Sequence, residues 1–457
     1  MNTESFQLSW IRRSRGYVKT LVRLGIKPGS VLFNLNTWSP ESVGYNISQL
    51  LNYRIHYIIQ LVKSAIISLI SNLSSYYYAL DISSATSNCQ YKRVFITWAK
   101  NSDICDNIFL DRYSCTSTTD FDNVLWILIF IEPIEKSYAI DNTIIFAKFS
   151  IYRHLKSFLI NSKKDHSLGL KNKTILFRSK ISSMLKIISI VLEKNKVESI
   201  FMPYEAQPLH QAIFAFTNNY EHKIESIGYI HSFLPSLPSE YHFREGCPNK
   251  LLINGSFQST MLTKYLNWPK SSIIPIPALR YNTNKYMPPK HNCVYLPFDF
   301  EYSDLLLKSI RISISIFYAN SISRKLLVRN HPLRKEGQKH QKLILYIEKC
   351  IIKEEYKRRR KTYLSKFVDK ESESNEKLVI VVGCSAVVFE LLQQNSRVIH
   401  VTSNACFDVL SRSLWNTITT KCVDSNVYLY DLIEPNLLYD VPRCTSSEIL
   451  NDIMLPR

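Results

Sequence analysis

Residues 378–392 read LVIVVGCSAVVFELL. The opening run, Leu378–Val382, is aliphatic at every position rather than at alternate ones, the pattern of a strand buried on both faces. Gly383 and Ser385 interrupt it, and apolar residues return at helical spacing over residues 386–394. A further aliphatic run, Arg397–Val401, follows at once. Strand, tight turn, helix and strand in succession form the crossover unit of a parallel sheet.

The same alternation extends upstream. Short strand patterns at residues 293–296 and 325–328 are each followed by a helical pattern, over 302–319 and 341–352. The charged stretch 353–377, with Arg358, Arg359 and Arg360, reads as a solvated helix face and loop. Residues 280–289, RYNTNKYMPP, are polar and proline-rich and read as a linker. Before them lie strand patterns at 93–98, 122–131, Thr143–Phe149, 197–202, 224–230, 251–253 and Ile273–Ile276, with helices at 181–195 and 209–216. The first ninety residues read as loop and helix, with 47–70 the expected helix. The fold class expected is α/β: two facing doubly wound Rossmann-like domains, 91–284 and 285–457, preceded by a helical extension, 1–90. Strand C-terminal ends of both domains then line a shared cleft, where such sheets bind ligands.

Composition excludes several functions. The chain has 457 residues and only ten glycines, none arranged as GxG, against a usual glycine share of ~7%. Neither a dinucleotide fingerprint nor a P-loop is present. None of the ten cysteines forms a CxxC pair, so the thiols read as reduced and cytosolic, without structural zinc. Residues 57–73 contain Lys63 and several serines, and residues 126–131 are too short to span a bilayer. Arg12, Arg13 and Arg15 are not followed by a signal-peptide core. Any membrane contact is expected to be peripheral. The net charge of +19 has two readings. One is an Ile-, Asn-, Lys- and Tyr-rich composition; the other is attraction to an anionic membrane or to phosphate. No zinc-finger, RNP or helix-turn-helix pattern accompanies the charge, so nucleic acid is not an expected partner.

Two candidate phosphate sites fall at strand ends of the second domain. At Gly383-Cys384-Ser385 a strand turns into a helix start, whose free N–H groups and positive end suit an anion. Ser385 either caps that helix or donates to a phosphate, Glu390 is placed for ribose hydroxyls, and Cys384 reads as a small packed residue. An ordinary capped crossover would look the same. Arg329-Asn330-His331-Pro332-Leu333-Arg334 follows another strand, and a histidine fixed by Pro332 between Arg329 and Arg334 suits a nucleotide phosphate; the plain alternative is a polar loop. In the first domain, Glu205 within PYEAQP and His231 after SIGYI sit at neighbouring strand ends as acid/base candidates. A helix-start charge and a structural histidine are their simpler readings. Arg244, Glu245 and Arg280 are candidate anionic-sugar ligands, and Asp111 and Asp122 are further carboxylates.

Taken in order, these motifs resemble a GT-B glycosyltransferase of bacterial surface-polysaccharide synthesis, in the sialyltransferase-like and Kdo-transferase-like branch that uses CMP-activated sugars. RNHPLR at residues 329–334 is similar to that branch's His-Pro motif, and GCSAVVFELL at 383–392 to its Ser/Thr motif. PYEAQPLHQAIF (203–214), GYIHSFLPS (228–236) and LLINGSFQ (251–258) resemble surface-carbohydrate biosynthesis proteins. The likeness spans about residues 90–410. The branch's acidic motif has paired acids and a glycine where this chain has Glu205-Ala206-Gln207, and a Ser/Thr pair where this chain has Cys384-Ser385.

The resemblance implies a GT-B fold with His331 at the CMP phosphate, Ser385 beside it, and Glu205 as base or nucleophile. It implies a metal-independent transferase with no bound cofactor, consistent with the lack of Asp-x-Asp at a strand end. The donor it implies is a CMP-linked nonulosonic acid or Kdo. The acceptor it implies is a glycan or glycolipid of capsule, lipopolysaccharide or O-antigen, at the cytoplasmic face of the bacterial membrane. A UDP- or GDP-hexose donor, or teichoic-acid-type polyol-phosphate transfer, are the alternatives on the same motifs.

Overall fold

The computed structural model describes residues 3–28, 76–80, 91–134, 138–149, 175–177, 180–231, 241–256, 258–279, 292–297, 300, 302–320, 326–330, 337–364, 378–383, 385, 387–393, 396–402, 409–411, 413–424, 426–432 and 445–454. The expected helix 47–70 and linker 280–289 lie outside these residues. The chain is α/β, built on two mostly parallel sheets.

The first part runs α1 (Thr3–Arg23), β1 (Tyr76–Leu80), β2 (Arg93–Ala99), a small hairpin β3 (Ile104–Cys105) and β4 (Ile108–Phe109), β5 (Val124–Phe130), β6 (Thr143–Phe149), β7 (Ile175–Phe177), α2 (Lys180–Lys194), β8 (Ser199–Pro203), α3 (Pro208–Asn218), β9 (Glu225–Tyr229), β10 (Lys250–Asn254) and β11 (Ile273–Ile276). The second runs β12 (Asn292–Tyr295), α4 (Asp304–Asn320), β13 (Leu326–Arg329), α5 (Gln338–Leu364), β14 (Leu378–Val382), α6 (Val387–Gln393), β15 (Arg397–Val401), β16 (Ile418–Asp424), β17 (Val427–Leu432) and α7 (Ser446–Met454).

Among the described residues the first sheet has the order β11-β10-β9-β8-β2-β5-β6-β1-β7. Its strands from β11 to β6 pair in parallel, while β1 is antiparallel to both β6 and β7. All seven residues of β5 are buried, as a strand covered on both faces requires. Its side chains divide by the two-residue period of a strand. Leu125, Ile127 and Ile129 join α1, α2 and α3 in one apolar cluster, whereas Val124, Trp126, Leu128 and Phe130 join Ile449, Leu450 and Met454 of α7 in another. The C-terminal helix therefore packs on the first sheet. Arg93 Nη1 donates to Asn451 Oδ1 at 2.6 Å, and Ser446 Oγ to the Leu279 carbonyl at 2.9 Å.

The second sheet has the order β13-β12-β14-β15-β17-β16. Strands β13 to β15 are parallel, and the β16–β17 hairpin adds to β15 antiparallel. One face, through Val294, Ile380, Val382 and Ile399, packs on α4 and α5. The other, through Tyr295, Val379, Val381 and Val398, meets Val388 and Phe389 of α6 and belongs to the same cluster as the α1 side of the first sheet. Gln7 Nε2 of α1 donates to the Val409 carbonyl at 2.8 Å.

The structure departs from the sequence reading in several elements. Residues 76–80, within the stretch read as loop and helix, form a strand of the first sheet. Helix α5 runs on to Leu364, through charged residues read partly as loop. Its Lys, Arg and Glu residues are good helix formers, and its buried face extends through Ile351. The β16–β17 hairpin and α7 were not anticipated. No helix among the described residues is long and apolar enough to cross a membrane.

Candidate active site at the strand ends

From β2 the first sheet grows through β5 and β6 on one side, then through β8 to β11 on the other. The C-terminal ends of β2 and β8 thus flank the point where strand order reverses, the place where open α/β sheets receive ligands. The structure brings the two acid/base candidates together there. Glu205 follows β8, His231 follows β9, and Glu205 Oε1 lies 3.5 Å from His231 Nε2. That is an ion-pair contact when the ring is protonated, though longer than a good hydrogen bond. The other carboxylate oxygen, Oε2, accepts from Gln207 Nε2 at 2.7 Å. The Glu205 side chain is 28% exposed and that of His231 11%. Burial raises the Glu205 carboxyl above the usual carboxylate range.

One aromatic ring packs on this pair and a second stands behind it. Tyr113, from the loop after β4, meets the His231 ring edge-on with centroids 4.4 Å apart. Trp98, near the end of β2, lies 5.9 Å from Tyr113 and 4.8 Å from His210. Burial first, and then the Glu205 charge, raises the Tyr113 phenol, so it stays protonated and available as a donor.

The turn presenting Glu205 is tightly held. Ala206 has φ +53° and is buried; for a residue with a Cβ, that left-handed conformation costs roughly 1–2 kcal/mol. Gln211 Nε2 donates to the Ala206 carbonyl at 2.6 Å. The backbone N–H groups of Glu205 and Gln207 point at His210 Nδ1, at 3.0 and 3.4 Å. With Nδ1 accepting, the ring proton is on Nε2. Burial, then the neighbouring His231, lowers the His210 pKa to about 3, so the ring is neutral in the native protein. Pro208 opens α3 at a position where a missing N–H costs nothing. His210 and Gln211 then fall in the first turn, beside the strand end.

The other described first-domain candidates are not brought to this pair. Asp111 is buried and accepts from Thr97 Oγ1 at 2.8 Å, from the Ser114 backbone N–H at 3.0 Å and from Ser114 Oγ at 2.5 Å. It closes the loop that carries Tyr113 instead of facing a ligand. Asp122 precedes β5, at the end of the sheet away from the site. Arg244 is buried, with Nη1 donating to the His242 carbonyl at 2.7 Å, and Glu245 is exposed. Arg280 lies outside the described residues.

In the second sheet the order reverses between β12 and β14. Gly383, directly after β14, has φ +68°, which explains glycine there. Its N–H donates to the Val401 carbonyl at 2.7 Å, and its carbonyl accepts from His400 Nε2 at 2.8 Å. Ser385 Oγ accepts the Val387 N–H at 3.3 Å, capping α6. That leaves the hydroxyl proton for another acceptor. Arg329 ends β13, with its guanidinium 5.7 Å from the centre of the Tyr295 ring. Strands β13 and β14 flank β12, so Arg329 and Gly383 stand at the same edge of the sheet. His331, Pro332, Arg334 and Cys384, and the side chain of Glu390, lie outside the described residues.

Sequence reasoning missed Trp98, Tyr113, His210 and Gln211. For the last two a signal existed: polar residues in the first turn of a helix entered from a strand end face back toward that end. Among the described residues no group of three or more His, Cys, Asp or Glu is placed to hold a metal ion. No protein-family model matches the chain, and no curated protein matches it.

Proposed function

We propose that the chain is a metal-independent glycosyltransferase of GT-B type, moving a sugar from a CMP-linked nonulosonic acid or Kdo to a surface glycan or glycolipid on the cytoplasmic side of the bacterial membrane. The observation that carries this reading is the Glu205–His231 pair at a strand-order reversal, where burial raises the pKa of a partly exposed carboxylate. A raised pKa makes a carboxylate a stronger general base. A second reversal, with Gly383 and Ser385 at its edge, lies in a separate, mostly parallel sheet, and two-sheet architecture suits a donor and an acceptor bound apart.

In this mechanism Glu205 takes the proton of an acceptor hydroxyl, and the oxygen attacks the anomeric carbon of the donor. The bond from that carbon to the phosphate oxygen breaks, and the electron pair leaves with the nucleotide. Ser385 Oγ–H and Arg329 hold the departing phosphate charge, together with His331. His231 and the protonated Tyr113 orient the acceptor around Glu205.

The test is a thermal-shift series of the purified protein with CMP, CDP, UDP and GDP. Stabilisation by CMP is expected. A response to UDP or GDP alone moves the assignment to a hexose donor, and one to CDP alone to a polyol-phosphate donor. No response to any nucleotide, together with salt-sensitive binding of nucleic acid, overturns the reading.

A further inference from the structure

Helix α5 carries a feature that the proposed transfer chemistry does not use. Its inner face, through Leu343, Ile347, Cys350 and Ile351, is buried in the core of the second sheet. On its outer face Leu345, Ile352 and Tyr356 are 57%, 65% and 68% exposed. At about 100° per residue these three fall within about 40° of arc and run along about 16 Å of helix. Single exposed apolar residues are normal; a row on one helix face is not.

Charge indicates what covers the row. Lys342, Lys349 and Lys353 are all exposed, and helical geometry places them along one flank of the apolar residues. Two of the helix's acids face its neighbour. Glu354 accepts from Ser315 Oγ at 3.2 Å and Glu355 from Tyr318 Oη at 3.0 Å, both on α4. Glu348 is exposed on the opposite flank. An apolar row flanked by lysines on a well-anchored helix is the pattern of a helix lying in a membrane interface, with ammonium groups reaching lipid phosphates. Three side chains on a convex helix cover far less than the roughly 800 Å² per partner of a standard protein–protein interface.

We infer that the outer face of α5 docks the protein onto an anionic phospholipid surface, with Leu345, Ile352 and Tyr356 entering the headgroup region and Lys342, Lys349 and Lys353 contacting phosphate. The inference rests on the helix face alone and stands or falls independently of the transferase reading.

The test is co-sedimentation of the full chain with vesicles of phosphatidylcholine alone, or of phosphatidylcholine mixed with phosphatidylglycerol. Wild-type protein is expected to sediment only with the mixed vesicles, and less at high salt. Leu345→Ser/Ile352→Ser/Tyr356→Ser and Lys342→Glu/Lys349→Glu/Lys353→Glu are each expected to weaken that binding about tenfold or more. Both change only exposed side chains, and an unaltered thermal melt confirms folding. Wild-type protein that stays in solution with both vesicles, or variants that bind as wild type does, overturns the inference. A wild-type dimer that the serine variant converts to monomer, without vesicle binding, also overturns it and assigns the face to a second copy of the chain.

Discussion

The backbone N–H of Glu205 donates to Nδ1 of His210 across 3.0 Å, so the residue proposed as catalytic base is held by a neutral histidine one helical turn into α3. The same nitrogen faces the Gln207 N–H, and Gln211 grips the carbonyl between them. His210 is therefore a positioning residue. His210→Ala is expected to cost about 1–3 kcal/mol of stability, since two inward-facing N–H groups lose their acceptor. It is expected to lower kcat up to about 100-fold through misplacement of Glu205, with donor KM little changed. His210→Asn, whose Oδ1 can accept the same N–H groups, is expected to recover much of the loss. Equal effects of both substitutions on kcat and KM would count against positioning.

The Ala206 conformation leads to a second expectation. At φ +53° a Cβ is strained, and glycine removes that strain. Ala206→Gly is expected to leave stability unchanged or raise it by up to about 1 kcal/mol, because the gain competes with a freer unfolded chain. Ala206→Val adds a β-branched side chain at a buried, positive-φ site and is expected to destabilise by more than about 2 kcal/mol. Urea denaturation of the pair checks the sign of each effect.

How far the sequence disclosed this arrangement depends on the range of the signal. Leu378–Val382 and the all-buried β5 were legible because strands covered on both faces leave an uninterrupted apolar run. The pairing of Glu205 with His231 was legible as two polar residues at successive strand ends, since β8 and β9 are neighbours in a parallel sheet. Tyr113 was not, because it reaches the site through a long excursion after β2 whose path is set by tertiary contacts such as Thr97 to Asp111; Trp98 was not, because inside the apolar run of β2 it reads as core. The same holds for α7: nothing local tells an amphipathic helix that it will return to the first sheet. Asp111 shows the reverse error, a carboxylate that reads as chemistry and serves to close a loop.

Acid sensitivity follows from two buried histidines. His210 and His242 both have pKa values lowered to about 3 from a usual 6.5, chiefly by burial. The unfolded chain therefore binds their protons first as pH falls. Their contribution is fully present above about 6.5 and is lost progressively toward about 3, by roughly 1.4 kcal/mol per pH unit for each ring. Burial raises the carboxyl pKa of Asp111 and Glu205, which acts in the opposite direction and offsets part of the loss once the pH nears their titration range. Denaturant midpoints measured from pH 7 to 5 are expected to fall. His242→Gln, which removes a ring hydrogen-bonded at 2.9 Å to Ser14 Oγ, is expected to reduce that slope by about half. An unchanged slope would refute the assignment of the loss to these rings.

At the second sheet, Ser385 has two roles that substitution separates. Its Oγ accepts the Val387 N–H, so Ser385→Ala removes a helix cap worth about 1 kcal/mol. If the hydroxyl also donates to the donor phosphate, the alanine variant weakens nucleotide binding as well. Ser385→Asp keeps an acceptor for the Val387 N–H but carries no donor and repels phosphate. It is expected to restore the melt while weakening nucleotide affinity further than alanine does. Recovery of both properties in the aspartate variant would remove Ser385 from the phosphate site and leave it a cap only.

The carboxylate itself supplies the sharpest test. Because burial raises the Glu205 pKa, the native state disfavours its ionised form, which is stabilised less here than in the unfolded chain. Glu205→Gln removes that cost while keeping a partner for Gln207, so the variant is expected to be more stable than wild type at neutral pH. It is also expected to lose about 10²–10⁴-fold in kcat, the range for removing a general base. The pH profile carries the same sign. Activity requires the deprotonated form, so kcat/KM is expected to rise with pH through a midpoint above the usual 4.5. That acid limb is expected to vanish from the residual activity of Glu205→Gln. A variant that is less stable than wild type and keeps the acid limb would show that Glu205 holds the turn together and that the proton goes elsewhere.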